Sequence, residues 1–157
     1  MTEPTPSPSL LRRLTAMFYD SLLALALLLA TTFIVIAVRY VTEGADSMPP
    51  GQPAISGAWK IPSFLVNLLT LAVFFAYFWV RNGQTLGMQT WRMQVVDDVS
   101  GGNLSWKQAF IRFAAALLSA GCFGLGYLWV VFDKNKKSWH DHLSHSHLVL
   151  LPKKKKS

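Results

Sequence analysis

The hydrophobic pattern opens with an apolar run from Leu14 to Val38. This run holds 25 residues and a single charged side chain, Asp20. A helix of that length would reach about 37 Å, more than the roughly 30 Å hydrocarbon core of a bilayer. The pattern predicts a first transmembrane helix. A carboxylate inside it is expected to face a partner helix or a wet cavity, because exposing a charge to lipid is costly.

A second apolar run extends from Ile61 to Val80, and Pro62 is placed for the first turn of a helix. It predicts a second transmembrane helix. The segment between the runs, from Arg39 to Lys60, contains prolines and a glycine at positions 49–51 and is predicted to be an irregular loop on the outer side.

Two short segments have strand character. Apolar and polar residues alternate from Trp91 to Val96, which is the period of a half-buried strand, and Gly101-Gly102 marks a tight turn after it. His147 to Leu151 is predicted to be a second strand and the partner of the first. The two can pair only if both lie on the same side of the membrane.

The third apolar segment, Ala109 to Phe132, follows an S-x-x-Q capping box that predicts a helix start near Trp106. Two interpretations compete. In one, the segment crosses as a straight helix with a stripe of small residues for close packing. In the other, its glycines break it into a re-entrant hairpin. The stripe comprises Ala116, Ala120 and Gly124.

The cations favour re-entrance. The chain has 15 Lys and Arg against 8 Asp and Glu, a net charge of +7. A re-entrant third segment places 13 cations on one side and 2 on the other, whereas a crossing segment gives 6 and 9. Because positive loops stay in the cytoplasm, the count predicts that both termini are cytoplasmic.

The predicted fold class is therefore an all-α membrane protein, a small bundle of two to three transmembrane helices with a short cytoplasmic β-strand cap. Residues 1–9 are expected to be a disordered N-terminus, because prolines and small polar residues dominate there. Residues 10–151 form the membrane domain. Residues 152–157 form a polybasic tail that touches anionic lipid headgroups.

Composition narrows the function. Hydrophobic residues make up 52% of the chain and charged residues 15%, against about 25% charged in a typical soluble domain. No aromatic-basic surface for nucleic acid and no complete catalytic constellation is present, so neither nucleic-acid binding nor an enzyme is expected. No cofactor or metal site is predicted either, although a histidine cluster lies beside Asp141: His140, His142, His145 and His147.

Arg13, Met17 and Asp20 share one face of the first helix. Two hypotheses stand for Asp20. Its carboxylate is either a structural group, bonded to Arg112, Asn67 or a backbone donor, or an exchangeable proton or cation site, since burial and a nearby cation shift a carboxyl pKa in opposite directions.

His140 and Asp141 form a second candidate site just after the third apolar segment. One hypothesis is a proton relay at the cytoplasmic surface, because histidine titrates near pH 6.5. The alternative is a helix cap or a salt bridge that ties the loop to a cation. Candidates for that cation are Arg81, Arg92 and Lys137.

Three motifs occur in order along nearly the whole stretch from Arg12 to Leu151. They are Arg13, Ala16 and Asp20; Thr85, Leu86 and Gly87 followed by a strand and a glycine turn; and an aspartate-basic stretch from Asp133 through His140-Asp141. Together they resemble the RDD family of bacterial membrane proteins, named for one arginine and two aspartates. Arg112 also matches an arginine common in that family.

The resemblance implies a bacterial inner-membrane protein whose second family aspartate is Asp141 or Asp133, with Asp141 favoured. A few members are described as sodium/proton antiporters, which implies cation exchange through an oligomer at Asp20. A non-transporting scaffold or assembly module for a membrane partner is the alternative. The chain departs from the family after His-Asp, where His142 to His147 replaces the usual glycine turn.

Overall fold

The computed structural model describes residues 7–44, 46, 48 and 50–152. The predictions for residues 1–6, Pro49 and the lysines from 153 on lie outside these ranges. The described elements are α1 (Leu10–Glu43), α2 (Lys60–Arg81), α3 (Leu86–Thr90), β1 (Met93–Asp97), α4 (Trp106–Gly121), α5 (Leu125–Leu128), α6 (Trp139–Leu143) and β2 (Ser146–Leu150), with single 3-10 turns at Gly57–Trp59 and Trp129–Val131.

Both long apolar runs are helices. By length and composition, α1 and the segment containing α2 can each cross a membrane, and the bent pair of α4 and α5 would make a third crossing if it counts as one. The predicted outer loop is wrong at its start, because α1 continues to Glu43. There Arg39 and Glu43 form an ion pair at 3.1 Å, one helical turn apart.

The described chain divides into two compact units, and the break falls within α1 and within α2. One unit covers Leu22–Val73. Inside it, Asn67 bonds to Thr31 and donates to Thr32 at 3.1 Å, which ties the two helices together through polar groups. Arg39 donates to the carbonyl of Ala54 at 2.7 Å and so fixes the loop between them.

The other unit contains the sheet. The predicted first strand is wrong at its start, because Leu86–Thr90 forms α3 and Arg92 takes a left-handed conformation at φ 55°. The predicted pairing is confirmed, since β1 and β2 run antiparallel with Met93 opposite Leu150. Met93 and Val95 are fully buried and lie at the centre of this small core.

The capping box is confirmed, with Ser105 and Gln108 bonding to each other's backbone at the start of α4. The straight interpretation of the third apolar segment is wrong. Gly124 is left-handed at φ +77°, and α4 and α5 meet at 107°. The second arm folds back on the first, because the Tyr127 hydroxyl donates to the carbonyl of Ala116 at 3.1 Å. The small-residue stripe therefore does not run along one helix.

Candidate functional site

Asp141 lies at the centre of a buried polar cluster and has no exposed surface. It occupies the third position of α6, where its Oδ2 accepts the backbone N–H of Ser138 at 2.9 Å. Ser138 and Asp141 form a capping box at the start of the helix. The predicted cap is therefore present, and it fixes the carboxylate against its own backbone.

Two arginines from distant parts of the chain bind the two oxygens of this carboxylate. Arg13 in α1 donates from Nη1 to Oδ2 at 2.9 Å, and Arg112 in α4 donates from Nη1 to Oδ1 at 2.6 Å. Both are at most 7% exposed. The prediction that Arg81, Arg92 or Lys137 fills this role is wrong; the partners are Arg13 in the first turn of α1 and Arg112 in α4.

Further contacts hold each guanidinium in place. Arg13 donates to the carbonyls of Lys136 at 2.8 Å and Pro8 at 3.3 Å. Arg112 donates to Ser146 Oγ at 2.8 Å and lies over the indole ring of Trp79 at 5.4 Å. Two guanidiniums share one carboxylate, so carbonyl dipoles and an aromatic face carry the rest of the compensation.

The groups around Asp141 and His140 determine the protonation states of both side chains. Burial alone would raise the pKa of Asp141, but Arg112, His140, Arg13 and the Ser138 N–H together hold it well below its usual range. Burial and Arg112 lower the pKa of His140 to about 3. The imidazole, which bonds to Ser138 Oγ at 2.8 Å, is therefore neutral at physiological pH. This does not suit a relay that depends on titration near pH 6.5.

Asp20 forms a separate site with the start of α3. Its Oδ1 accepts the N–H of Gly87 at 2.8 Å, and its Oδ2 accepts the hydroxyl of Thr85, the N-cap residue. A Cβ on Gly87 would lie 2.2 Å from the carbonyl oxygen of Ala16, so only glycine allows α3 to approach α1 this closely. Of the predicted partners, the backbone donor is the one that Asp20 contacts, whereas Arg13, which was predicted to share this face of α1, binds Asp141 instead.

Asp133 belongs to neither site. Its Oδ2 accepts the N–H groups of Asn135 at 3.0 Å and Lys137 at 2.9 Å, and its Oδ1 lies 3.2 Å from His142 Nε2. It shapes the loop before α6. The histidines are likewise dispersed, and the described ranges contain no group of three residues that could hold a metal.

Two residues of these sites, Ser138 and Ser146, were missed from the sequence, and two others, Thr85 and Gly87, were named there without a role in a site. Ser138 carried a signal, because S-x-x-D is the spacing of a capping box at a helix start. Thr85 and Gly87 stood out only through the family resemblance. Nothing in the sequence pointed to Ser146, whose role depends on the register that brings β2 beside Arg112.

Fold and site together define a helical protein with two or three candidate membrane spans and a buried arginine–aspartate core. The sequence model of the RDD family matches residues 7–145, and the chain belongs to that family. Arg13, Asp20 and Asp141 lie in buried polar contacts, whereas Asp133 is a loop residue, which favours Asp141 as the second family aspartate.

The chain is also similar to an uncharacterized protein of Rickettsia prowazekii, RP437. The two are 31% identical over 86 residues, which are 55% of this chain and 47% of the relative. The chain therefore matches about half the length of that relative. No solved structure matches the chain.

Proposed function

We propose that the protein is a multi-pass module of the bacterial inner membrane in which α1 and α2 cross the bilayer and the α4–α5 hairpin re-enters it from the cytoplasm. Three observations support this placement. The strands at either end of the hairpin pair with each other, the hairpin bends by 107°, and re-entrance collects 13 of the 15 cations on one side.

We further propose that the module does not transport or catalyse, but serves as an assembly unit for a membrane partner or a second copy of itself. The observation that carries this assembly role is that both buried acids accept hydrogen bonds on both of their oxygens from donors of the same chain. Asp141 is held by two arginines and a backbone N–H, and Asp20 by a hydroxyl and a backbone N–H. Acids that are held by donors of their own chain stabilise its fold, and large exposed apolar side chains remain on α1 and α2 for contact with neighbours.

Site-specific photo-crosslinking in native membranes tests this role. A crosslinking residue at Phe33 or Phe64, both largely exposed on the long helices, is expected to give discrete products of higher mass. The same residue at Val99, in the exposed turn after β1, is the control and is expected to give none of those products. Recovery of monomer alone from both helix positions would overturn the assembly role.

Cation/proton exchange through an oligomer is a second candidate, favoured by one feature of Asp20. Within the described residues its hydrogen-bond donors are the neutral Thr85 hydroxyl and Gly87 N–H, and no ion pair locks its charge. A carboxylate bonded in this way keeps the capacity to trade a proton for a cation.

Asp20→Asn separates the two candidates. The amide can keep both contacts, accepting from Gly87 and donating to Thr85, so an assembly module is expected to remain folded and crosslinked. An exchanger is expected to remain folded but to lose sodium- or lithium-dependent proton flux in pH-gradient liposomes. If wild-type liposomes show no such flux, exchange is rejected. Asp20→Leu, which removes both acceptors, serves as the unfolded control.

A further inference from the structure

We propose that a basic cleft between the loop before α6 and the start of β2 binds a phosphate group. The cleft has a volume of about 570 Å³, within the roughly 300–1,000 Å³ of small-ligand sites. The residues that line it include Lys136, Lys137, His147 and Asp98. Asn135 and Ser7 add polar residues to this lining.

The charges in the cleft leave a surplus of positive charge. Asp98 is already engaged on both oxygens, with Lys137 Nζ at 2.7 Å and His147 Nδ1 at 2.6 Å. The Lys136 ammonium has only the carbonyl of Val131, at 3.4 Å, and forms no ion pair within the described residues. One lysine charge is therefore left uncompensated beside hydroxyl and amide donors, a combination suited to phosphate oxygens.

The loop that carries the lysines is held rigidly by the buried cluster. Arg13 donates to the carbonyl of Lys136, and Asp133 accepts the N–H groups of Asn135 and Lys137. Lys136 itself sits in a left-handed conformation at φ 55°. The lysines therefore project from a fixed backbone, which reduces the ordering cost of binding.

The neighbouring surface favours a lipid as the source of the phosphate. Directly before the loop, Phe132 is 79% exposed, and Trp129 and Val131 are about half exposed. Aromatic side chains followed by lysines are typical of the membrane–water interface. The lipid source rests on the re-entrant placement proposed above, because that placement brings the cleft to headgroup level. Free phosphate would satisfy the same side chains.

Titration of the full-length, detergent-solubilised protein tests the site. The probes are short-chain phosphatidic acid, inorganic phosphate and, as the weak-binding reference, short-chain phosphatidylcholine. The cleft variant K136Q/K137Q is compared with K107Q/K134Q, which removes the same charge from exposed lysines outside the cleft. Since a cation near an anionic surface contributes about fivefold in affinity, the cleft variant is expected to bind phosphatidic acid about 5- to 25-fold more weakly. The control is expected to change less than about twofold.

Asp98→Asn is expected to change the binding affinity in the opposite direction. It removes the carboxylate that neutralises Lys137 and is expected to tighten binding, which a merely misfolded cleft would not do. Equal weakening by both lysine pairs would overturn the site as nonspecific attraction. Tight binding of inorganic phosphate that phosphatidic acid does not match would retain the phosphate site and overturn the lipid source. Neither the membrane placement nor assembly enters this assay, so its failure is distinct from theirs.

Discussion

Asp141 joins two cations that lie 128 and 29 positions before it in the chain. At the scale of single residues this is the contact with the largest consequence for stability. Removing one member of a buried ion pair leaves the others desolvated and uncompensated, which costs more than the pair itself contributes. Here a single carboxylate serves two guanidiniums, so its loss leaves both without a counter-charge.

Asp141→Asn is accordingly expected to lower the free energy of unfolding by about 3–5 kcal/mol. Chemical unfolding of the detergent-solubilised protein, followed by tryptophan fluorescence, measures it. Asp133→Asn is the matched control, because that acid bonds only to loop N–H groups and a histidine. A loss for Asp133→Asn as large as for Asp141→Asn would contradict the central role of the two-arginine cluster.

Gly87→Ala tests the close contact of α3 with α1. The new methyl group would meet the Ala16 carbonyl at 2.2 Å, and overpacking of this kind costs about 1–3 kcal/mol. Gly102→Ala, where the nearest atom is 3.6 Å away, is expected to change stability little. The unfolding temperatures of the two variants, measured together, test this difference. Equal temperatures would show that α3 can move away from α1 without loss of stability.

His140 gives a pH dependence. The unfolded chain takes up a proton on this histidine near its ordinary pKa of 6.5, whereas the folded chain excludes it down to about 3. The unfolded state therefore binds more protons in that window, and the stability present at neutral pH is lost progressively as the pH falls. Unfolding measured between roughly pH 6.5 and pH 4.5 is expected to show a shallower loss for His140→Gln than for the parent. Parallel curves would contradict a buried, neutral imidazole.

At the scale of elements, the α4–α5 hairpin depends on one left-handed turn. Gly124 has φ +77° with open space around its α-carbon, so the penalty for a side chain there is conformational and not steric. Phe123 takes a similar φ of 55° and is 96% exposed. The bend is thus made by two consecutive left-handed residues, and only one of them is a glycine.

Gly124→Ala is expected to destabilise the protein by about 1–2 kcal/mol, the cost of the left-handed conformation for an L side chain. Gly121→Ala is its control, because that glycine ends α4 in helical conformation with nothing within 4 Å. Circular dichroism and thermal unfolding measure both. A gain in helix content with Gly124→Ala would mean that the segment prefers to straighten.

The sequence predicted helices and strands better than it predicted which side chains contact each other. Long apolar runs located α1 and α2, and the Ser105–Gln108 box located the start of α4, because each of these signals lies within one continuous stretch of sequence. α3 was missed, because its five residues carry no periodicity and its cap, Thr85, was noticed only as a family match. The partners of Asp20 and Asp141 lie far away in sequence, and an apolar pattern says nothing about which buried charge meets which.

At the scale of the whole molecule, the two paired strands flank the third apolar segment, β1 before it and β2 after it. The chain that leaves the sheet at the end of β1 returns to it at the start of β2, because the two strands pair with each other. If the strand cap is cytoplasmic, as proposed, the segment between the strands enters and leaves on the same side. The accessibility of three positions along the chain then measures whether this segment crosses the membrane.

Single cysteines at Ser100, Lys134 and Gln52 in a Cys122→Ser background provide that test. All three positions are exposed. Re-entrance predicts that Ser100 and Lys134 react with a membrane-impermeant thiol reagent only after the cytoplasmic side is opened, and that Gln52 reacts in intact spheroplasts. If Lys134 reacts together with Gln52, the hairpin crosses the bilayer.

The Arg13–Asp141 contact can form only late in synthesis. Arg13 is synthesised 128 positions before its counter-ion, Asp141. Until then the early helix carries a cation with no carboxylate to receive it, and β1 has no neighbouring strand. A chain that stops before α6 therefore cannot close its polar centre, and such fragments are expected to be cleared by membrane proteases while the finished chain persists.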